Sequence, residues 1–173
     1  MSKLSVQAPK SVVMIRPHHF TPNPMTANDN SFQSNDERRA ATAIASAAFD
    51  EVTCMAEGLA SAGITVHVFE DKTAATPDSV FPNNWFSTHS GGHVAIYPMY
   101  SASRQSERRT DVIEMLKTDY RVQDVIDYSG LEKDHVYLEG TGAMVLDHIG
   151  RVAYAVRSKI GRASCRERVC MLV

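Results

Sequence analysis

The chain has 173 residues, 43% hydrophobic and 22% charged, which is enough apolar material for one core and too little length for several domains. A net charge of −2 with both signs interspersed offers no basic field to nucleic acid, and no apolar run approaches the ~18 residues of a membrane helix. The opening Met1-Ser2-Lys3-Leu4-Ser5 lacks a signal-peptide core, so a cytoplasmic protein with neither nucleic acid nor membrane as partner is expected.

In chain order, Val12-Val13-Met14-Ile15, ended by Arg16-Pro17, predicts a short buried strand. The segment from Pro17 to Ser34 is rich in proline, asparagine and aspartate, a loop of a length that compact domains keep for function. Ser34-Asn35-Asp36-Glu37 has the capping-box spacing of a helix start. Ile44, Ala48, Val52, Met55 and Leu59 give that helix an inward stripe, with Cys54 on its shoulder as core, and Gly63 provides a left-handed stop after Ala62. Thr65 to Phe69 is the next strand, Asp71 to Ser79 a polar loop, and Trp85–His89 with His93–Tyr97 a hairpin around Ser90-Gly91-Gly92. A second helix over Glu107–Tyr120 turns Val112, Leu116 and Tyr120 inward, and the dense run Arg104–Arg109 is read as coating its exposed start. Val122 to Ile126 is a strand, and Ala143–Asp147 pairs with Arg151–Val156 across His148-Ile149-Gly150. Strands, helices and hairpins alternating in this way indicate α/β.

The order repeats. Gly92-His93-Val94-Ala95-Ile96-Tyr97 and Gly150-Arg151-Val152-Ala153-Tyr154-Ala155 both follow a turn glycine with an apolar run, 58 residues apart, and Thr65–Phe69 matches Gln123–Asp127 at the same step. Two strand-helix-strand-hairpin units are expected, part of a larger ring or stack, because such units bury their apolar faces only against neighbours. The loop from Pro17 to Ser34 is an enlargement of the first unit, and such decorations mark a binding face. The segment 159–173, above all Gly161–Val173, continues neither repeat nor helix; it reads as a non-native tail following a domain at 10–158. Its Cys165 and Cys170 leave open a redox or metal pair, though no companion ligands stand at a known spacing.

Two segments stand at matching places before the two hairpins. Val80-Phe81-Pro82-Asn83-Asn84-Trp85-Phe86 puts two amides ahead of bulky aromatics at a strand entry, and Tyr137-Leu138-Glu139-Gly140-Thr141-Gly142-Ala143 sets one carboxylate among small residues. Glycines beside Glu139 permit close approach of a ligand; turn chemistry, with the asparagines bonding their own backbone and Glu139 solvated, is the alternative. His18-His19 are loop residues, solvent-facing or in contact with substrate. His67 is half-exposed on its strand, His148 lies in a turn, and His89 and His93 face each other as a cross-strand pair without the third ligand a metal needs. No metal and no cofactor are assigned.

The sequence VFPNNWFSTH, followed by YLEGTGAMVLDH and preceded by MIRPHHFTPNPMTANDNSFQ, resembles the amidinotransferase and arginine deiminase superfamily, whose fold is the five-bladed α/β propeller called a pentein. Its nearest likeness is to the citrulline-utilization hydrolases. The resemblance spans about residues 10 to 158 and implies about two of five modules, that is, a partial pentein α/β propeller. It further implies a hydrolase that opens C–N bonds of guanidino or ureido compounds through a cysteine nucleophile and a histidine acid/base, without metal, acting on a small amino-acid substrate. Both catalytic residues are expected beyond this chain, so no catalytic residue is assigned and no turnover by the chain itself is expected. Glu139 matches the glutamate that grips substrate nitrogens, and Asn84 stands where arginine deiminases have an aspartate. With Asn83, and with Phe20 and Asn23 from the long loop, they make the substrate-binding set. An amide donates and accepts, which suits a neutral ureido group, and so citrulline, better than a guanidinium. A non-catalytic pentein-type binding protein is the alternative, and self-association through exposed hairpin edges stays open.

Overall fold

The computed structural model describes residues 7–26, 40–155 and 158–161, and the chain divides into two compact units, Lys10–Pro82 and Asn83–Val173 with Met1–Pro9. The capping box at Ser34–Glu37, the hairpin end at Val156 and the cysteines Cys165 and Cys170 lie outside the described residues. The architecture is mixed α/β with three small sheets among the described residues.

In the unit Lys10–Pro82, β1 (Ser11–Pro17) and β2 (Thr65–Asp71) pair in parallel, from Ser11 opposite Thr65 to Pro17 opposite Asp71. Parallel neighbours need a crossover. Here it contains α1 (Ala41–Ser61), which packs on both strands. The helix stops as the glycine predicts: Gly63 has φ +83°, its N–H donates to the Ala60 carbonyl, and the Ile64 N–H donates to that of Leu59, a Schellman arrangement. Of the expected stripe, Ile44, Ala48, Val52 and Leu59 are half-buried, and Ala45, Phe49 and the buried Ala56 widen the inward face, whereas Met55 is 60% exposed and Cys54 is exposed. Phe49 turns the face, because its ring lies under the Arg16 guanidinium and edge-on to His18. β1 also departs from the buried strand expected. Only Ile15 and Pro17 are buried, since a two-stranded sheet covers little of its own surface.

In the other unit, β3 (Phe86–His89) and β4 (His93–Ile96) form the expected hairpin, with His89 directly opposite His93. Gly91 and Gly92 take the left-handed conformations its turn requires, and a Cβ on Gly92 would strike the Arg121 carbonyl. β4 then pairs in parallel with β5 (Asp124–Asp127), giving the order β3-β4-β5. The hairpin expected to close the first repeat therefore joins the sheet of the strand that follows it. A single turn, α2 (Ala102–Gln105), precedes the expected second helix, α3 (Thr110–Asp119), which starts at Thr110 rather than Glu107, buries Val112, Ile113 and Leu116 and leaves Tyr120 half-buried.

A last short helix, α4 (Gly140–Ala143), leads into the antiparallel pair β6 (Met144–Asp147) and β7 (Val152–Ala155). In its turn the left-handed residue is Arg151, not Gly150, and the Asp147 carboxylate accepts from the Ile149 and Gly150 amides. The two hairpins share a small core of Ala95, Tyr97, Met144 and Leu146, flanked by Tyr128 and Leu138. β7 has no second neighbour among the described residues and is exposed along its length, whereas β4, between two strands, is not.

Candidate functional site

Asn83 and Asn84 end a short 3₁₀ turn that begins at Pro82, and Trp85, fully buried, fixes the chain as it enters β3. Tyr97 donates its amide to the Trp85 carbonyl, extending the hairpin one step. Glu139 precedes α4, its backbone tied at both ends: its N–H donates to Ile160 and its carbonyl accepts from Ala143. These supports bring the FPNN and LEGTG segments together. Asn84 donates its side-chain amide to Glu139 Oε2 at 3.3 Å, and Asn83 donates to the Thr141 hydroxyl at 2.6 Å.

The glycines of the LEGTG motif explain the closeness. A Cβ on Gly140 would overlap the Asn83 carbonyl oxygen, and one on Gly142 would overlap the Asn84 amide. Space expected for an approaching ligand is thus taken up, in the chain as it stands, by the asparagine pair. Glu139 is 1% exposed, so the solvated-carboxylate alternative fails. Its Oε1 accepts the Tyr100 amide at 3.1 Å, and its Oε2, besides Asn84, faces Arg104 Nη1 at 3.5 Å. The Tyr100 ring meets Tyr137 edge-on at 5.1 Å, placing two aromatics at residues adjoining these donors.

Arg104 and Glu107 were missed by sequence reasoning. The basic run was read as a solvated helix start, yet Arg104 is 7% exposed and Glu107 3%. Arg104 Nε and Nη2 both donate to Glu107 Oε2 at 3.2 Å, and Nε also reaches Oε1. The signal available was an arginine and a glutamate three residues apart, a spacing that lets side chains meet on one helical turn. Farther along the run, Arg108 grips Glu132 with both Nη atoms at 2.6 and 3.1 Å, and Glu132 also accepts the Met99 amide. Arg109 pairs with Asp111, whose carboxyl it holds below the usual range.

Phe20 and Asn23 belong to the other unit. Phe20 is half-buried; Asn23 is buried, donates to Asp78 at 2.7 Å and accepts the Met25 amide at 3.0 Å. Nearby, Asp71 accepts the hydroxyls of Thr76 and Ser79, ordering the polar loop. At the end of β1, Arg16 and His18 both engage Glu70, whose pKa falls to about 2, chiefly through the Arg16 hydrogen bonds.

Of the remaining histidines, His67 is half-exposed on β2 and His93 engages Asp124 across the parallel pair. His89 shares a 2.7 Å hydrogen bond with Ser87, which in turn bonds Tyr97, and its ring lies 5.4 Å from that of His148. Among the described residues its buried Nδ1 has no partner, and burial with two histidines nearby lowers its pKa to about 4. Among the described residues no cluster of three metal-binding side chains occurs, and no helix is long and apolar enough to cross a membrane.

The sequence profile of the family described as N,N-dimethylarginine dimethylhydrolase, eukaryotic, matches residues 16–173. No curated protein matches in sequence. Among solved structures, dimethylarginine dimethylaminohydrolase from Pseudomonas aeruginosa, a cysteine-to-serine mutant complexed with citrulline, is similar with a TM-score of 0.56 at 16% identity, over 87% of this chain and 52% of that one. ArgZ, an arginine dihydrolase from the ornithine–ammonia cycle in cyanobacteria, matches in its apo form with a TM-score of 0.51 at 20% identity, over 84% of this chain and 20% of its own. Unliganded AgrE gives 0.55 at 21% identity, over 84% and 19%. At such identities the likeness concerns the fold, and the chain spans about half the length of the first of these proteins and about a fifth of the other two. Profile and fold agree with the paired FPNN and LEGTG motifs: the chain belongs to the dimethylarginine dimethylhydrolase family, within the pentein superfamily.

Proposed function

We propose that residues 10–158 are about two of the five modules of a pentein hydrolase that opens a C–N bond of a guanidino or ureido amino acid, with citrulline preferred to arginine. The observation that carries this reading is the meeting of Glu139 and Asn84, a carboxylate and an amide from matching places in two repeats. Opposite a substrate, the carboxylate accepts planar N–H groups in charge-assisted bonds while the amide donates to a carbonyl, a combination that a ureido group satisfies at both ends. Asn83, beside them in the same unit, joins the proposed binding set.

The chemistry follows from the family's cysteine and histidine, neither of which this chain supplies. A thiolate attacks the central carbon, ammonia leaves, and water activated by the histidine hydrolyses the thio-linked intermediate. Cys54, exposed on α1, is not carried over as nucleophile. Assays for ammonia test both halves of the reading. The 173-residue chain releases none above a blank, and a protein that continues it through the rest of a family catalytic domain works faster on citrulline than on arginine. A clear preference for arginine overturns the substrate assignment.

The alternative is a non-catalytic binding protein of the same fold. The burial of Glu139, with donors on both oxygens, favours it. Citrulline turnover by the continued protein, abolished by Glu139→Gln, decides against it.

A further inference from the structure

Two buried carboxyl groups, Glu107 and Glu139, face one buried guanidinium, that of Arg104. The contest between them is unequal. The Nε–Nη2 edge of Arg104 lies against Glu107 in three contacts of 3.2 to 3.4 Å, whereas Nη1 stands 3.5 Å from Glu139. α2 builds this preference into the backbone: the Glu107 N–H donates to the Arg104 carbonyl, so the two side chains leave the same turn. Glu139 is left with one short donor from the main chain, Tyr100 N–H, and two longer ones that converge on Oε2. A carboxylate has about four acceptor positions, and the long contacts at Oε2 are those a substrate N–H displaces at least cost.

We infer that Glu107 is a positioning residue: by holding the Arg104 guanidinium it keeps that cation from closing on Glu139, and so reserves Glu139 Oε2 for substrate nitrogens. The inference rests on the reading of Glu139 as a substrate contact. Without the Glu107 charge, Glu139 is a carboxylate already within 3.5 Å of Arg104, and a guanidinium meets a carboxylate best edge-on with two parallel bonds. Arg104 then turns onto Glu139, displaces the Asn84 amide from Oε2 and competes with any ligand there. A wholly structural Glu107 would instead act through stability alone, and removing Arg104 as well would make matters worse.

The test uses the isotope-labelled 173-residue chain, its Glu107→Gln variant and the double variant Glu107→Gln with Arg104→Gln, with L-citrulline and L-arginine as probes. Expected in Glu107→Gln is a shift of the Arg104 Nε–H and Asn84 Nδ2 resonances, with probe affinity weakened about tenfold, the size of a lost hydrogen bond to a charged group. In the double variant, affinity recovers to within a few-fold of the parent. A folded Glu107→Gln whose Arg104 and Asn84 resonances stay in place overturns the positioning role. Resonances that move in a chain that binds neither probe uphold it and count against the substrate reading instead. Should Glu107→Gln not fold, Glu107→Asp, which keeps the charge and shortens the reach, carries the same comparison.

Discussion

Each unit holds an arginine between titratable partners, and the two clusters differ in water. Arg16, over the Phe49 ring, grips Glu70 beside His18 with all three side chains about a third or a quarter exposed. Arg104, Glu107 and Glu139 are almost wholly removed from solvent. In the first, water screens every charge and the loss of one partner is absorbed. In the second, each partner removed unbalances charges that water does not screen, so geometry rather than screening decides which groups meet.

The largest effect expected is that of Arg104→Ala, which takes the shared guanidinium away from two buried carboxylates and costs about 3–5 kcal/mol in urea unfolding. A cost under 1 kcal/mol would mean that the buried cluster behaves like the exposed one. Gly140→Ala follows at about 2–3 kcal/mol, because the added methyl meets the backbone oxygen of Asn83, which has little freedom to move. Gly142→Ala meets the Asn84 side chain instead, so it costs less, about 1–2 kcal/mol, and frees the Asn84 amide from Glu139 in a side-chain NMR spectrum.

Acid supplies a further contrast. His89 binds its proton with a pKa of about 4 in the fold, against the ordinary 6.5, so the unfolded chain takes up that proton first. Stability from neutral His89 is therefore present above pH 6.5 and is lost as the pH falls through about 4; His89→Gln flattens that part of the stability profile. Smallest is Glu70→Gln, worth about 0–1 kcal/mol because the pair is solvent-screened. Glu70 itself titrates near 2, below the ordinary 4.5, so its small contribution is present above pH 4.5 and fades toward pH 2, which carboxyl NMR titration follows.

Local signals read from single segments corresponded closely to structure. Gly63 ends α1 in the left-handed conformation, the hairpin arms fall within a residue or two, and His89 sits opposite His93. Readings that required knowing what a side chain would meet did less well. Met55 looked inward until Phe49 claimed the face against Arg16 and His18; Arg104 looked solvated although a glutamate from beyond β5 awaited it. Asn84 and Glu139 were each legible as candidates, but their direct contact was not.

The chain order of strands, helices and turns and the two motif segments were determined by sequence alone, because they depend on periodicity and on backbone preferences that act within a few residues. Which sheet received the first hairpin, which arginine was buried, and which carboxylate it preferred were decided only in three dimensions. Those outcomes turn on burial and on partners more than 30 residues distant, for Arg104 and Glu139 as for β4 and β5, and the cost of an unpaired buried charge has no counterpart in an extended chain.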